Sequence, residues 1–189
     1  MDALLAAARA IDALNARIGR LASWLTLAMV LLGASNALAR YLGLYATLGV
    51  APNAWIEGQW YLFSLVFLFG APWALRTGGH VRVDVLYGRL GDRGRAWIDL
   101  VGGLLFLLPF CAFALWISWP TVAESIAQRE TSPDPGGLAR WPLKACVPAA
   151  FALLLLQGLS EVVKRIAFLR GRPAAEVGLA DPTPRESRA

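Results

Sequence analysis

Histidine is almost absent from this chain, cysteine is scarce, and ionisable residues are sparse within its apolar runs. His80 is the single histidine, so neither a bis-histidine haem nor a His-rich metal site can be built from this chain alone. Cys111 and Cys146, the two cysteines, lie in separate apolar stretches without a Cys-x-x-Cys pair. They read as small apolar packing residues. No Ser–His–Asp set and no phosphate-binding loop is evident. The chain is therefore not expected to be an enzyme, and no catalytic residue, cofactor or metal is expected. A stand-alone ion-coupled transporter would usually display buried midplane acids, broken helices or internal repeats. None is visible, and four spans are few for alternating access.

Long apolar runs fill most of the chain instead. They cover Leu21–Leu44, Trp55–Leu75, Ala96–Trp119 and Leu143–Val163. Each reaches the ~20 residues an α-helix needs to cross ~30 Å of hydrocarbon. Composition agrees: 57% of residues are apolar, above the ~45–50% of a soluble domain, and mean hydropathy is +0.52. The expected fold is an all-α integral membrane protein with four transmembrane helices. The net charge of +5 belongs to residues flanking the spans, so it reports topology rather than nucleic-acid binding.

The charge is lopsided. Of the 18 Lys and Arg residues, only Arg40, Arg129, Arg140 and Lys144 fall on one side of the predicted spans. All the others fall before span one, between spans two and three, or after span four. Positive residues stay cytoplasmic, so both termini and the middle connector are expected inside. Residues 1–20 show no cleavable signal. Leu4, Leu5, Ala8, Ile11, Leu14 and Ile18 recur at helical spacing, which predicts a cytoplasmic amphipathic segment on the membrane surface; a frayed terminus is the other reading for the first ten. The membrane domain is expected over 21–170, with a disordered cytoplasmic tail over 171–189.

Within the spans, Asn36 and the small pair Gly33 and Ala37 suit helix packing. Glu57 sits near the outer boundary, where it can reach water or a cation of another helix. Pro109 should kink span three. Arg95 and Asp99 can pair, and Glu161 can pair with Lys164 or Arg165. Most of the eight tryptophans fall near span ends, as an interfacial aromatic belt does.

The connectors are more distinctive. Gly78 and Gly79 break span two and turn the chain along the membrane. Asp84 can cap a short interfacial helix beginning at Val85, with Arg82, Arg89 and Arg93 near lipid phosphates. Val81, Val83 and Val85 also alternate as a strand does, but a lone strand at a membrane surface lacks a partner, so an interfacial connector helix between helices 2 and 3 is preferred. After Trp119, span three is expected to continue as a helix into water. It should stop at the cluster Pro133-Asp134-Pro135-Gly136-Gly137, with Arg140 and Lys144 flanking Trp141 at the entry to span four.

These motifs carry a resemblance. Gly78-Gly79-His80-Val81-Arg82-Val83-Asp84 after span two resembles the small membrane subunit, DctQ-like, of tripartite ATP-independent periplasmic (TRAP) transporters. Glu130, Ser132, Asp134-Pro135-Gly136-Gly137-Leu138, Arg140-Trp141 and Lys144 before span four resemble its mannitol/chloroaromatic or C4-dicarboxylate branch. The resemblance covers about residues 15–170. It implies a bacterial inner-membrane protein that braces a large multi-span permease subunit. That larger subunit would hold the substrate and sodium sites, and a periplasmic solute-binding protein would deliver an organic acid, commonly a carboxylate.

On that reading Gly78, Gly79, His80, Arg82, Asp84 and Arg89 are candidates for the subunit interface, with membrane lipid as a further partner. Asp134, Arg140 and Lys144 are candidates for docking the binding protein. No substrate-binding residue follows from the resemblance. A stand-alone four-span scaffold or assembly factor remains the alternative.

Overall fold

The computed structural model describes residues 1–45, 52–79 and 90–179. Four helical stretches among them are long and apolar enough to cross a membrane: Asp2–Tyr41, Asn53–Thr77, Asp92–Ala127 and Trp141–Leu169. We label the helices α1 (Asp2–Tyr41), α2 (Pro52–Thr77), α3 (Asp92–Gly102), α4 (Leu108–Ala127), α5 (Trp141–Leu169) and α6 (Ala174–Val177). The only pairing of strand type among the described residues is one isolated antiparallel bridge, Thr131 with Ala139.

Residues 1–20 are expected to form an amphipathic segment on the cytoplasmic membrane surface. They form the first turns of α1, which runs unbroken for 40 residues. No proline interrupts it, and at 1.5 Å per residue it extends about 60 Å.

Span three keeps its place but not a regular helix. Between α3 and α4, Gly103–Leu107 form a π turn, and Leu108 donates its N–H to the Gly103 carbonyl. Pro109 explains the position: it has no N–H, and its ring would strike the carbonyl four residues back. The wider turn immediately before Pro109 takes up that conflict, as π-bulges do. The helix then continues through Pro120 to Ala127, so the expected extension beyond Trp119 is present. The described connector after α2 ends at Gly79. The predicted interfacial helix lies outside the described residues.

The chain divides into two compact units. The terminal unit comprises Met1–Arg17, Ala71–Phe113 and Ala152–Ala189; the loop unit comprises Ile18–Gly70 and Ala114–Phe151. In the terminal unit, Leu5, Ala167 and Val177 form a small apolar core, joined by Val163, Phe168 and Leu179. Val177 and Leu179 belong to the segment after residue 170 for which disorder is the expectation. α6 buries Val177, and Gly178 closes it with a left-handed φ of 72°, a conformation glycine adopts without penalty. Arg172 ties the same segment to Asp2 at 2.6 Å.

Close packing in this unit depends on glycine. A Cβ on Gly158 would lie 3.0 Å from Leu108 Cδ2 and 3.1 Å from Leu107 Cδ2. A bare backbone at Gly158 therefore accommodates the leucines that the π turn projects.

Candidate functional site

Among the described residues, each unit carries a cluster of polar side chains that includes buried charge. The terminal unit's cluster joins α1 to α5. Lys164, 1% exposed, sits between two carboxylates, 2.8 Å from Asp12 and 2.6 Å from Glu161. Gln157 donates from Nε2 to Asp12 at 2.9 Å and to Glu161 at 3.3 Å. The Gln157 Oε1 accepts from Asn15 at 2.7 Å. Ser160 donates to Asp12 at 2.9 Å. The Asn15 Oδ1 is buried without a partner among the described residues. A second ion pair, Arg165 with Asp99 at 3.0 Å, belongs to the same unit.

The physical requirement is plain: a buried ammonium is tolerated only when charged and hydrogen-bonding partners replace its water. Gln157, Ser160, Glu161 and Lys164 are spaced i, i+3, i+4 and i+7, so helical geometry puts them on one face. The predicted pairing of Glu161 with Lys164 is present, but Asp12 completes the site.

The loop unit's cluster is built around Glu57, which is 2% exposed. Its carboxylate accepts the Ser132 hydroxyl and the Leu138 N–H. Both donors come from the connector between α4 and α5, which is folded on itself. Ser132 N–H donates to the Leu138 carbonyl at 2.9 Å, and Arg140 N–H to the Glu130 carbonyl at 2.8 Å. Gly136 has φ 72°, which a turn of this shape requires and glycine supplies. Gly137 leaves room for the carboxylate, since a Cβ there would lie 2.5 Å from Ser132 Cβ and 2.8 Å from Glu57 Oε2. Asn53 adds a bond from Nδ2 to the Pro135 carbonyl at 3.1 Å. Two neutral donors thus hold the Glu57 carboxylate, with the Arg140 charge acting on it as well.

Glu130 anchors the foot of the same loop. It accepts the Ser125 hydroxyl at 2.7 Å and pairs with Lys144 at 2.5 Å. The Lys144 ammonium, then the Ser125 hydroxyl, hold the Glu130 carboxyl below its usual range.

The docking candidates therefore differ in kind. Asp134 is exposed at the loop tip, where its own N–H bonds Ser132 Oγ at 3.2 Å. Arg140 is half-buried, and Lys144 is occupied by Glu130. Of the interface candidates, Gly78 ends α2 with φ 67°, and Gly79 N–H donates to the Ala74 carbonyl at 3.0 Å. They close the helix as glycine does after a final turn. His80, Arg82, Asp84 and Arg89 lie outside the described residues.

A third polar group lies between the first two helices of the loop unit. Asn36 donates to Gln59 at 3.5 Å and accepts the Tyr45 hydroxyl at 2.6 Å.

Long apolar helices define a multi-pass helical membrane protein, and the charged groups of its two clusters engage partners within the chain. Residues 29–168 match the family described as tripartite ATP-independent periplasmic transporters, DctQ component, and the chain belongs to that family. It is accordingly a small permease component of a TRAP transporter, a multi-pass protein of the bacterial inner membrane and not an enzyme. It is 24% identical over 141 residues to the isethionate TRAP transporter permease protein DctMQ of Oleidesulfovibrio alaskensis. That alignment covers 74% of this chain and 22% of the relative, so the chain spans about a fifth of the relative's length. No solved structure matches the chain.

Proposed function

We propose that the chain is the small membrane subunit of a sodium-driven tripartite importer of an organic acid, bracing a large multi-span permease. The observation carrying this reading is how the ionisable groups are used. Glu57, Glu130, Lys144, Asp12, Glu161, Lys164, Asp99 and Arg165 all engage groups of this chain. The long helices meanwhile expose large apolar side chains such as Val30, Phe67, Phe106 and Trp116. Such a surface suits lipid and a partner's helices. Charges consumed by packing suit a brace better than a solute pathway.

The DctMQ relative supports a larger partner, because the part similar to this chain is a fraction of one polypeptide named as a permease. Its name specifies isethionate, a small organic acid anion. We infer that the solute here is likewise an organic acid, a carboxylate being what the family resemblance implies.

In this reading both termini and Thr77–Arg95 are cytoplasmic, and Glu130–Lys144 helps receive the periplasmic binding protein. Asp134 is the most accessible of the docking candidates. The connector glycines permit the turn, and Arg82 and Arg89 bind lipid phosphate or acidic residues of the large subunit.

The test is co-expression with a large permease, followed by purification and reconstitution. The tagged chain should carry the permease with it. Sodium-driven uptake should need the permease and the binding protein as well. Uptake by this chain alone, or failure to retain a permease, would overturn the reading. Orientation has its own check: a cysteine at position 80 or 180, in a cysteine-free background, should escape an impermeant periplasmic label.

A further inference from the structure

One face of α1 in the loop unit carries an open groove of about 380 Å³, lined by Gly33, Asn36, Ala37, Arg40 and Tyr41. These positions follow one another at helical spacing, so the groove runs along the helix. Its polar groups are of one kind. Among the described residues, the Arg40 guanidinium has no carboxylate partner. Tyr41 is 88% exposed.

Gln59 reaches the groove from α2. Its Nε2 occupies the space that a Cβ on Gly33 would take. The Gln59 Oε1 is committed to Asn36, so Nε2, beside Gly33, is the donor left to it. Asn36 is itself satisfied, because its Oδ1 accepts from Tyr45. The free capacity is thus a cation and N–H or O–H donors. The occupant these groups select is an acceptor-rich anion.

Depth identifies the anion. Arg40 lies in the last turn of α1, at the end of a membrane-crossing segment. Gly33 and Gln59 lie about two helical turns, roughly 10 Å, further in. Deeper on the same face, Met29 is half-buried and Val30 is 58% exposed. The order along the groove is therefore cation, neutral donor, apolar side chain. A membrane phospholipid presents the complementary order of phosphate, ester carbonyl and acyl chain.

We propose that this face of α1 is a binding site for one phospholipid. Arg40 holds the phosphate, Gln59 Nε2 donates to an ester carbonyl, and an acyl chain lies over Ala37, Val30 and Met29. Asn36 acts through Gln59 by fixing which way its carboxamide points. Ala37 is exposed, so a larger side chain there fills the groove without entering the packed interior.

The test uses the full chain in detergent micelles, with bound lipid counted by native mass spectrometry. The probes are phosphatidylglycerol and a diacylglycerol with the same tails. Wild type should retain one phosphatidylglycerol in preference to diacylglycerol. Arg40→Gln should lower its retention about fivefold, the effect of one basic residue near an anionic surface. Ala37→Phe should abolish retention of either probe, while circular dichroism and elution volume stay those of wild type.

Adding Arg40→Gln to Ala37→Phe should cause no further loss. Equal retention of both probes by wild type would show an apolar lipid coat without a site, and would overturn the proposal. A lipid-free dimer abolished by Ala37→Phe would assign the groove to a second copy, which also overturns it. Unchanged phosphatidylglycerol retention in both single variants would do the same.

Discussion

Removing Lys164 alone should be among the most damaging single changes available to this chain. Lys164 is 1% exposed and lies 2.8 Å from Asp12 and 2.6 Å from Glu161. At an effective dielectric constant of about 20, each contact is worth about 6 kcal/mol of gross Coulomb attraction. Desolvation offsets most of this, at several kcal/mol for each buried ion. Lys164→Met keeps the side-chain length and removes the charge. It leaves two carboxylates facing one another, with only Gln157 and Ser160 as donors. The expected loss is that of a broken buried pair, about 3–5 kcal/mol.

The triple variant Asp12→Leu, Glu161→Leu, Lys164→Met removes the orphaned charges as well. It should recover most of the loss, because apolar replacement of a whole buried ion cluster is often neutral. Equilibrium unfolding in mixed detergent micelles, followed by circular dichroism, measures both. A Lys164→Met chain within about 1 kcal/mol of wild type would refute the reasoning, since an uncompensated buried carboxylate pair costs more than that. A triple variant weaker than the single one would refute it equally, by showing that the network contributes more than neutrality.

The remaining predictions concern the loop and the glycine contacts. Glu57→Gln and Gly137→Ala should loosen the same segment, because one removes the charged acceptor and the other drives a Cβ into Ser132 and that acceptor. Faster amide exchange at Leu138 in both variants is the expected readout, and exchange unchanged from wild type would count against the latch. Glu130 is held below its ordinary pKa of 4.5 chiefly by Lys144. A depressed carboxyl contributes stability that is fully present above that ordinary value and is lost as pH falls through the lower folded one. Trp141 fluorescence should therefore hold steady from neutral pH down to the ordinary value, then change in more acid solution, and Lys144→Met should move that change toward higher pH. Gly158→Val should destabilise the terminal unit by about 1–3 kcal/mol through overpacking against Leu107 and Leu108, read in the same micellar unfolding assay.

The helices were legible in the sequence because a bilayer imposes length and hydropathy on each span separately. No knowledge of neighbours is needed to see that Trp141–Leu169 can cross a membrane. Pro109 was equally legible as a disturbance, since its missing N–H is a local fact. The form of that disturbance was not, because a kink and a π turn both remove the clash. The polar sites were hidden for a different reason. Glu57 and its donor Leu138 are 81 residues apart, and Gln157 and Asp12 are 145 apart. Charge at a span boundary reads the same whether water, lipid or a distant loop satisfies it. One signal is local: Gln157, Ser160, Glu161 and Lys164 form a polar stripe on an otherwise apolar helix, which lipid would not tolerate uncovered.

That stripe also bears on why residues 1–20 resemble a surface helix without forming a separate one. Their apolar positions suit an interface, and Leu5 is indeed buried, yet against Ala167 and Val177 of the same chain. Their polar positions find partners there as well: Asp12 and Asn15 supply what Lys164 and Gln157 lack. An amphipathic pattern states only that one face seeks apolar surroundings and the other polar ones. Lipid headgroups satisfy that demand, but so does another helix that carries both an apolar core and a polar stripe. α5 offers both within its last half, and one face of the first turns of α1 packs there, while Leu4 and Leu14 on those turns stay exposed.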